Sequence, residues 1–151
     1  MKIIVQNKKA RHEFAILETF EAGIALKGTE VKSLREGKAN LRDAYANIEQ
    51  GEVILHGLHI SPYSHTSERQ LDPVRDRKLL MNRAEIRKLI GKVKEKGLTL
   101  VALKLYFSPR GIVKVELGLA KGKKLHDKRD AISERDARRD LDRVMKRARQ
   151  E

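Results

Sequence analysis

Apolar and polar residues alternate with period two along much of this chain, and in two places the spacing changes to that of a helix. From His12 to Leu17, Phe14 and Ile16 fall on one side and Ala15 and Leu17 on the other, which predicts a strand. A second strand follows through Gly23, Ile24, Ala25 and Leu26. Tyr45 to Ile60 reads as a hairpin turning at Gln50-Gly51, with the apolar run Val53-Ile54-Leu55 directly after the turn. Leu98 to Phe107 is a long strand, Ser108-Pro109-Arg110-Gly111 has the chemistry of a tight turn, and Ile112 to Ala120 returns as the antiparallel partner. Glu30 to Arg35 is expected to be helical, with Thr29 as its cap, Glu30 at the positive N-terminal end and Gly37 at the left-handed stop. The clearest helix is Asn82 to Lys96: Asn82 and Glu85 form a capping-box-like pair, Ile86, Leu89, Ile90 and Val93 fall at i, i+3, i+4 and i+7, and Gly97 ends it. Ser61 to Arg77 is polar, contains Pro62 and Pro73, and has no period, so a mobile loop is expected there.

About six short antiparallel strands with two helices set between them make a mainly β fold with flanking helices. This favours a closed or partly closed β-barrel, of which the OB type is the small RNA-associated example; a sandwich is the second choice. The last segment differs in kind. Ser133 to Glu151 has helical spacing, but Leu141, Val144 and Met145 form only a narrow apolar stripe on a charged segment. Such a helix needs a partner's surface to offset its ordering entropy, so a basic tail that is disordered when free and helical when bound is expected. The division follows: residues 1–124 as the barrel with a basic N-terminal arm, and 125–151 as the tail.

Charge sharpens this picture. Lys and Arg number 34 against 21 Asp and Glu, a formal charge of +13 on 151 residues, which is the balance of a polyanion binder. Residues 1–12 carry Lys2, Lys8, Lys9 and Arg11 without an acid, and residues 121–151 carry twelve basic and seven acidic side chains. Cysteine is absent, which excludes disulfides, thiolate zinc sites and cysteine nucleophiles. No stretch approaches 18 apolar residues, and Met1 to Gln6 is too short for a secretory signal, so a soluble, cytoplasmic protein with no membrane partner is expected.

Candidate chemistry is sparse. His56 and His59 lie three apart in what reads as one strand and so point to opposite faces, while His12, His65 and His126 are remote in sequence; no metal site is expected. Glu18, Glu21 and Glu30 fall near one another, yet no D-x-D, E-x-x-H, Walker A or G-x-S-x-G motif accompanies them. Neither catalysis nor a cofactor is expected. Only three Phe and three Tyr are present and no Trp, several at core-like positions, so base stacking cannot supply most of an RNA affinity. Phosphate neutralisation joined to shape recognition of a folded RNA remains. The densest basic cluster is Gly118 to Arg129, where an apolar strand gives way to Lys121, Lys123, Lys124, His126, Asp127, Lys128 and Arg129.

That segment resembles the signature of the small protein B family, the SsrA-binding proteins of bacterial trans-translation. The resemblance extends over nearly the whole chain, through Asn7 to Phe14, Phe20 to Leu26, Gly28 to Arg35, Gly37 to Asn40 and Arg77 to Leu80. It implies an OB-type barrel that binds the tRNA-like domain of transfer-messenger RNA (tmRNA, or SsrA RNA). It further implies delivery of alanine-charged tmRNA, with elongation factor Tu, to the small-subunit decoding centre of a stalled ribosome, so that the incomplete peptide is tagged and the ribosome rescued. The RNA-binding residues it implies are Asn7, Lys8, Glu21, Leu80, Lys121, Lys123 and Lys124. His126, Asp127, Lys128 and Arg129 match the segment that enters the decoding site, with the tail continuing along the empty mRNA channel. Some relatives carry tryptophan where Ala137 stands. A general ribosome-associated or ribosome-assembly protein, and an RNA-processing enzyme, are the competing classes.

Overall fold

The computed structural model describes residues 1–63 and 71–122. Strand β1 (Lys2–Gln6) leads to helix α1 (Lys8–Glu13), strand β2 (Phe14–Ile24) and helix α2 (Gly28–Arg35). Strands β3 (Ala39–Asn40), β4 (Tyr45–Glu49), β5 (Glu52–His56), β6 (His59–Ile60) and β7 (Arg77–Leu80) follow, then helix α3 (Arg83–Lys96) and strands β8 (Thr99–Phe107) and β9 (Val113–Gly122). The main sheet runs β1-β8-β4-β5-β7-β2-β9, and a further β8–β9 pairing closes β8, β4, β5, β7, β2 and β9 into a ring. The expected small barrel with helices between its strands is therefore what forms. Strand β8 is long enough to hold two partners along one edge: Tyr45 and Ala46 of β4 face Val101 and Leu100, and β1 takes the rest, from Gln6↔Lys104 to Lys2↔Phe107.

The barrel is filled by the inward residues of its strands, among them Val53, Leu55, Leu79, Leu100, Leu105, Val115 and Leu117, all buried. Leu89 brings α3 onto this core, and each such aliphatic side chain contributes about 1.5–3 kcal/mol by leaving water. The β4–β5 hairpin turns at Gln50-Gly51 as anticipated, both residues with positive φ (53° and 77°), the backbone of a two-residue turn that matches strand twist. Helix α3 starts on Asn82, whose side chain accepts from the Glu85 amide at 2.9 Å, and stops at Gly97 in the left-handed conformation.

Several expectations are corrected. The strands read at 12–17 and 23–26 are replaced by one continuous strand, β2, from Phe14 to Ile24; Glu18 is satisfied by Lys92 of α3 and does not break it, and Ala25 and Leu26 lie beyond its end. His12 belongs to α1, so residues 2–13 form a paired strand and a helix in place of an arm. Helix α2 has Lys27 and not Thr29 at its N-cap; the Glu30 carboxylate accepts the Lys27 amide at 2.9 Å. His56 and His59 sit in different strands, separated at Gly57 (φ 81°). Arg77 is the first residue of a strand and is buried, not part of a polar loop. The chain divides into two compact units after Lys121, and of the second unit only Gly122 lies among the described residues. The basic tail at 125–151 and its expected disorder lie outside them.

Candidate nucleic-acid interface

Strand β2 has two faces. Phe20, Ala22 and Ile24 point into the core, which by the period-two rule turns Glu21 and Gly23 outward, whereas nearer its start the strand packs Phe14 and Ile16 into the second cluster with Val101, Leu103 and Ala120. Across the β2–β7 ladder Gly23 pairs with Leu80, and a Cβ built on Gly23 would come within 3.3 Å of the Leu80 Cβ. Glycine at 23 therefore leaves room for Leu80 to lie over β2. Leu80 is nonetheless 53% exposed and Leu17 56%. The result is a short outer row of an exposed leucine, Leu80, and the Glu21 carboxylate, a surface that offers apolar contact and a hydrogen-bond acceptor to a sugar or base edge.

Helix α1 stands beside this row, packed on β2 and β8. Its six residues bury only Ala10, which meets Val101, Leu103 and Ala120. Asn7 holds it in place. The Asn7 Oδ1 accepts from the Ala10 amide (3.1 Å), and its Nδ2 donates to the carbonyls of Leu41 (2.9 Å) and Ala102 (3.1 Å). Only 6% of Asn7 is exposed, so its polar atoms are spent inside the protein. Lys8, Lys9, Arg11 and His12 are exposed on the helix it caps, and because Ala10 and Ala120 share one cluster, Lys121 of β9 follows directly after a residue packed on that helix. A cleft of about 110 Å³ between α1 and β8 is lined by Gln6, Asn7, Lys8, Arg11, Leu103 and Lys104.

A chain of polar contacts joins the two groups. The Tyr106 hydroxyl donates to Glu21 Oε2. The Lys104 ammonium lies 5.8 Å from the centre of the Tyr106 ring and 2.9 Å from Glu116, which also faces Arg11 at 3.7 Å. Burial, reinforced by the Glu21 carboxylate, pushes the Tyr106 phenol well above its ordinary range, so it stays a neutral donor.

A second ionic cluster anchors the strand that carries Leu80. Glu30 is buried in α2 and receives Arg75 and Arg77; Arg77, 1% exposed, donates to Glu30 Oε2 from Nε at 2.9 Å and Nη2 at 2.6 Å. The remaining Arg77 donors meet the carbonyls of Leu58, Arg75 and Pro73. Burial raises the Glu30 carboxyl, but hydrogen bonds from Arg75, the Lys27 amide and Arg77 outweigh it and hold the group below the usual carboxylate range. On the β5 side, Tyr45 is 42% exposed and stacks on His56, with ring centres 5.2 Å apart. His56 bonds Asp76 (2.8 Å) and Glu49 (3.0 Å), and although desolvation opposes it, these two acids raise the imidazole above its usual value.

Of the site residues read from sequence, Lys8, Glu21, Leu80 and Lys121 are exposed on the barrel and its α1 flank, and Asn7 lies beneath them. Lys123, Lys124, His126, Asp127, Lys128 and Arg129 lie outside the described residues. Sequence reading missed Leu17, Arg11, Lys104 and Tyr106. Tyr106 carried no signal, because its partner is 85 residues away.

A family model described as SmpB protein matches residues 4–147. The SsrA-binding protein of Syntrophobacter fumaroxidans (strain DSM 10017 / MPOB) is 61% identical over 150 residues, covering 99% of this chain and 92% of that one. The SsrA-binding protein of Moorella thermoacetica (strain ATCC 39073 / JCM 9320) is 56% identical over 146 residues, covering 97% and 94%. Among solved structures, a chain from the work described as "tmRNA-SmpB: a journey to the center of the bacterial ribosome" superposes with a TM-score of 0.67 at 57% identity, covering 80% of this chain and 84% of that one.

Proposed function

The chain belongs to the SmpB family of SsrA-binding proteins, and from that premise we propose that it binds tmRNA and delivers it to the ribosome. The observation that carries this reading is the family match, which runs from residue 4 to residue 147 without stopping at the barrel. The RNA bound is the tRNA-like domain. Lys8, with Arg11 and Lys104, neutralises phosphates beside α1; Glu21 accepts a hydrogen bond from a base edge or a 2′-hydroxyl; Leu17 and Leu80 pack against sugar or base. Asn7 acts through α1, which it caps; Lys121 of β9 adds a cation beside that helix, and Lys123 and Lys124 also meet phosphate.

The reading extends to the ribosome. His126, Asp127, Lys128 and Arg129 enter the small-subunit decoding centre, and the tail follows the vacant mRNA channel. Elongation factor Tu joins the complex through alanyl-tmRNA, and the work is done in the cytoplasm. The protein makes and breaks no covalent bond. Among the described residues no helix is long and apolar enough to cross a membrane.

The experiment is to purify the protein from cells and sequence the RNA that accompanies it: tmRNA should dominate, whereas a general spread of rRNA and tRNA fragments would support an assembly factor instead. Truncation after Arg129 tests the ribosomal half. Affinity for the tRNA-like domain should stay near wild type while peptide tagging collapses; tagging by the truncated protein would remove the tail from the mechanism. His126→Ala should likewise slow peptide transfer to alanyl-tmRNA on stalled ribosomes with little change in tmRNA binding.

A further inference from the structure

We propose that Tyr106 is the positioning residue of the RNA interface, its hydroxyl fixing the Glu21 carboxylate as a pre-aimed acceptor for a hydrogen-bond donor of the RNA. The inference rests on the reading of Glu21 as an RNA contact and adds the device that makes such a contact effective. A glutamate on the outer face of a strand samples several rotamers, and holding it in one of them before the RNA arrives removes that entropy from the binding step. Tyr106 can do this because its ring is held in the structure, 6% exposed, with the Lys104 ammonium over it.

The chemical nature of the anchor matters as much as its position. Among the described residues the neighbouring cations pair with other acids: Lys104 and Arg11 both reach Glu116, and Lys92 reaches Glu18. The donor that holds Glu21 is therefore a neutral O–H and not a cation. Oε2 receives Tyr106, and among the described residues none donates to Oε1, the oxygen this proposal gives to the RNA. An ionised carboxylate repels phosphate, so it selects N–H and O–H donors of base or ribose over the backbone. With a lysine or arginine in place of the phenol, the same carboxylate would be neutralised and this discrimination weakened.

The test is a double-mutant cycle on binding of the isolated tRNA-like domain transcript to the full-length protein, using Tyr106→Phe, which deletes one oxygen, and Glu21→Gln. Tyr106→Phe should weaken binding about tenfold, equivalent to about 1.4 kcal/mol. Glu21→Gln should weaken it by at least as much, and the double variant should bind within about twofold of Glu21→Gln alone. Independent losses that multiply would overturn the proposal, because Tyr106 would then act other than through Glu21. If Glu21→Gln is costly and Tyr106→Phe is silent, the positioning role fails and the RNA contact stands. If Glu21→Gln is silent, the RNA contact itself fails and the proposal with it. Side-chain couplings of Glu21, measured by NMR in the free protein, give a readout that a change in stability would not imitate. Wild type should show one dominant rotamer and Tyr106→Phe an average; a single rotamer in both would also overturn the proposal.

Discussion

Glu30 and Glu21 are both anchored by residues far along the chain, yet the two regions they belong to do opposite work. Glu30 is buried and held by two guanidinium groups and a backbone amide; Glu21 is exposed and held by one phenol. In the first case every acceptor site is used inside the protein, and the product is architecture: α2 is tied to the strand that carries Leu80. In the second, one oxygen has no donor among the described residues. Burial and the partner's charge together set a structural acid, Glu30, apart from an exposed one, Glu21, which proximity in sequence cannot do.

The largest effect should come from breaking the buried side of this pair. Arg77→Met leaves Glu30 with one guanidinium fewer and should cost about 3–5 kcal/mol in chemical denaturation, while the protein that remains folded keeps its RNA affinity. An equally large loss of affinity in the folded fraction would mean that the two regions are not separable. The same cluster sets an acid limit. Because the folded carboxyl of Glu30 lies below its ordinary 4.5, its stabilisation is complete above that value and is lost as pH falls through the lowered one. Urea midpoints of wild type should therefore drop at acid pH more steeply than those of Glu30→Gln.

The exposed side should respond in affinity and not in stability. Replacing Lys8 and Lys121 by Gln should reduce the slope of log affinity against log salt by about 0.7–0.9 per residue that meets a phosphate. Leu80→Ala should weaken binding several-fold with the slope unchanged, and its melting temperature should track a stability change within about 0.5 kcal/mol. The smallest effect belongs to His56, which bridges Asp76 and Glu49. Its folded value is raised above 6.5, so its contribution is present in full below 6.5 and is lost as pH rises through the raised value. His56→Gln should remove that dependence, at most about 1 kcal/mol because both acids are exposed.

The same contrast explains what could be read in advance. The hairpin at Gln50-Gly51, helix α3 between Asn82 and Gly97, and the β8–β9 pair are set by local chemistry, and each was legible. Helix α1 was not, because six residues with one buried alanine are too short to show a period; only Asn7 announced it. Strand β7 was hidden because a buried Arg77 reads as polar until Glu30, 47 residues earlier, is brought against it. Glu21 and Leu80 were reached through family resemblance, but their common face follows from the register that puts Leu80 opposite Gly23. Tyr106 behaves like Arg77: its role exists only in the tertiary pairing.

The central claim is that this chain recognises the tRNA-like domain of tmRNA through a surface combining cations with an aimed acceptor. The most direct measurement is an equilibrium titration of wild-type protein with that domain and with a size-matched tRNA, repeated from low to high salt. Both RNAs should show the same steep salt slope, set by shared phosphate contacts, with tighter binding of the tRNA-like domain at every salt concentration. Glu21→Gln should close the gap between the two without altering either slope. Equal affinity of the wild-type protein for both RNAs throughout the series would contradict the account.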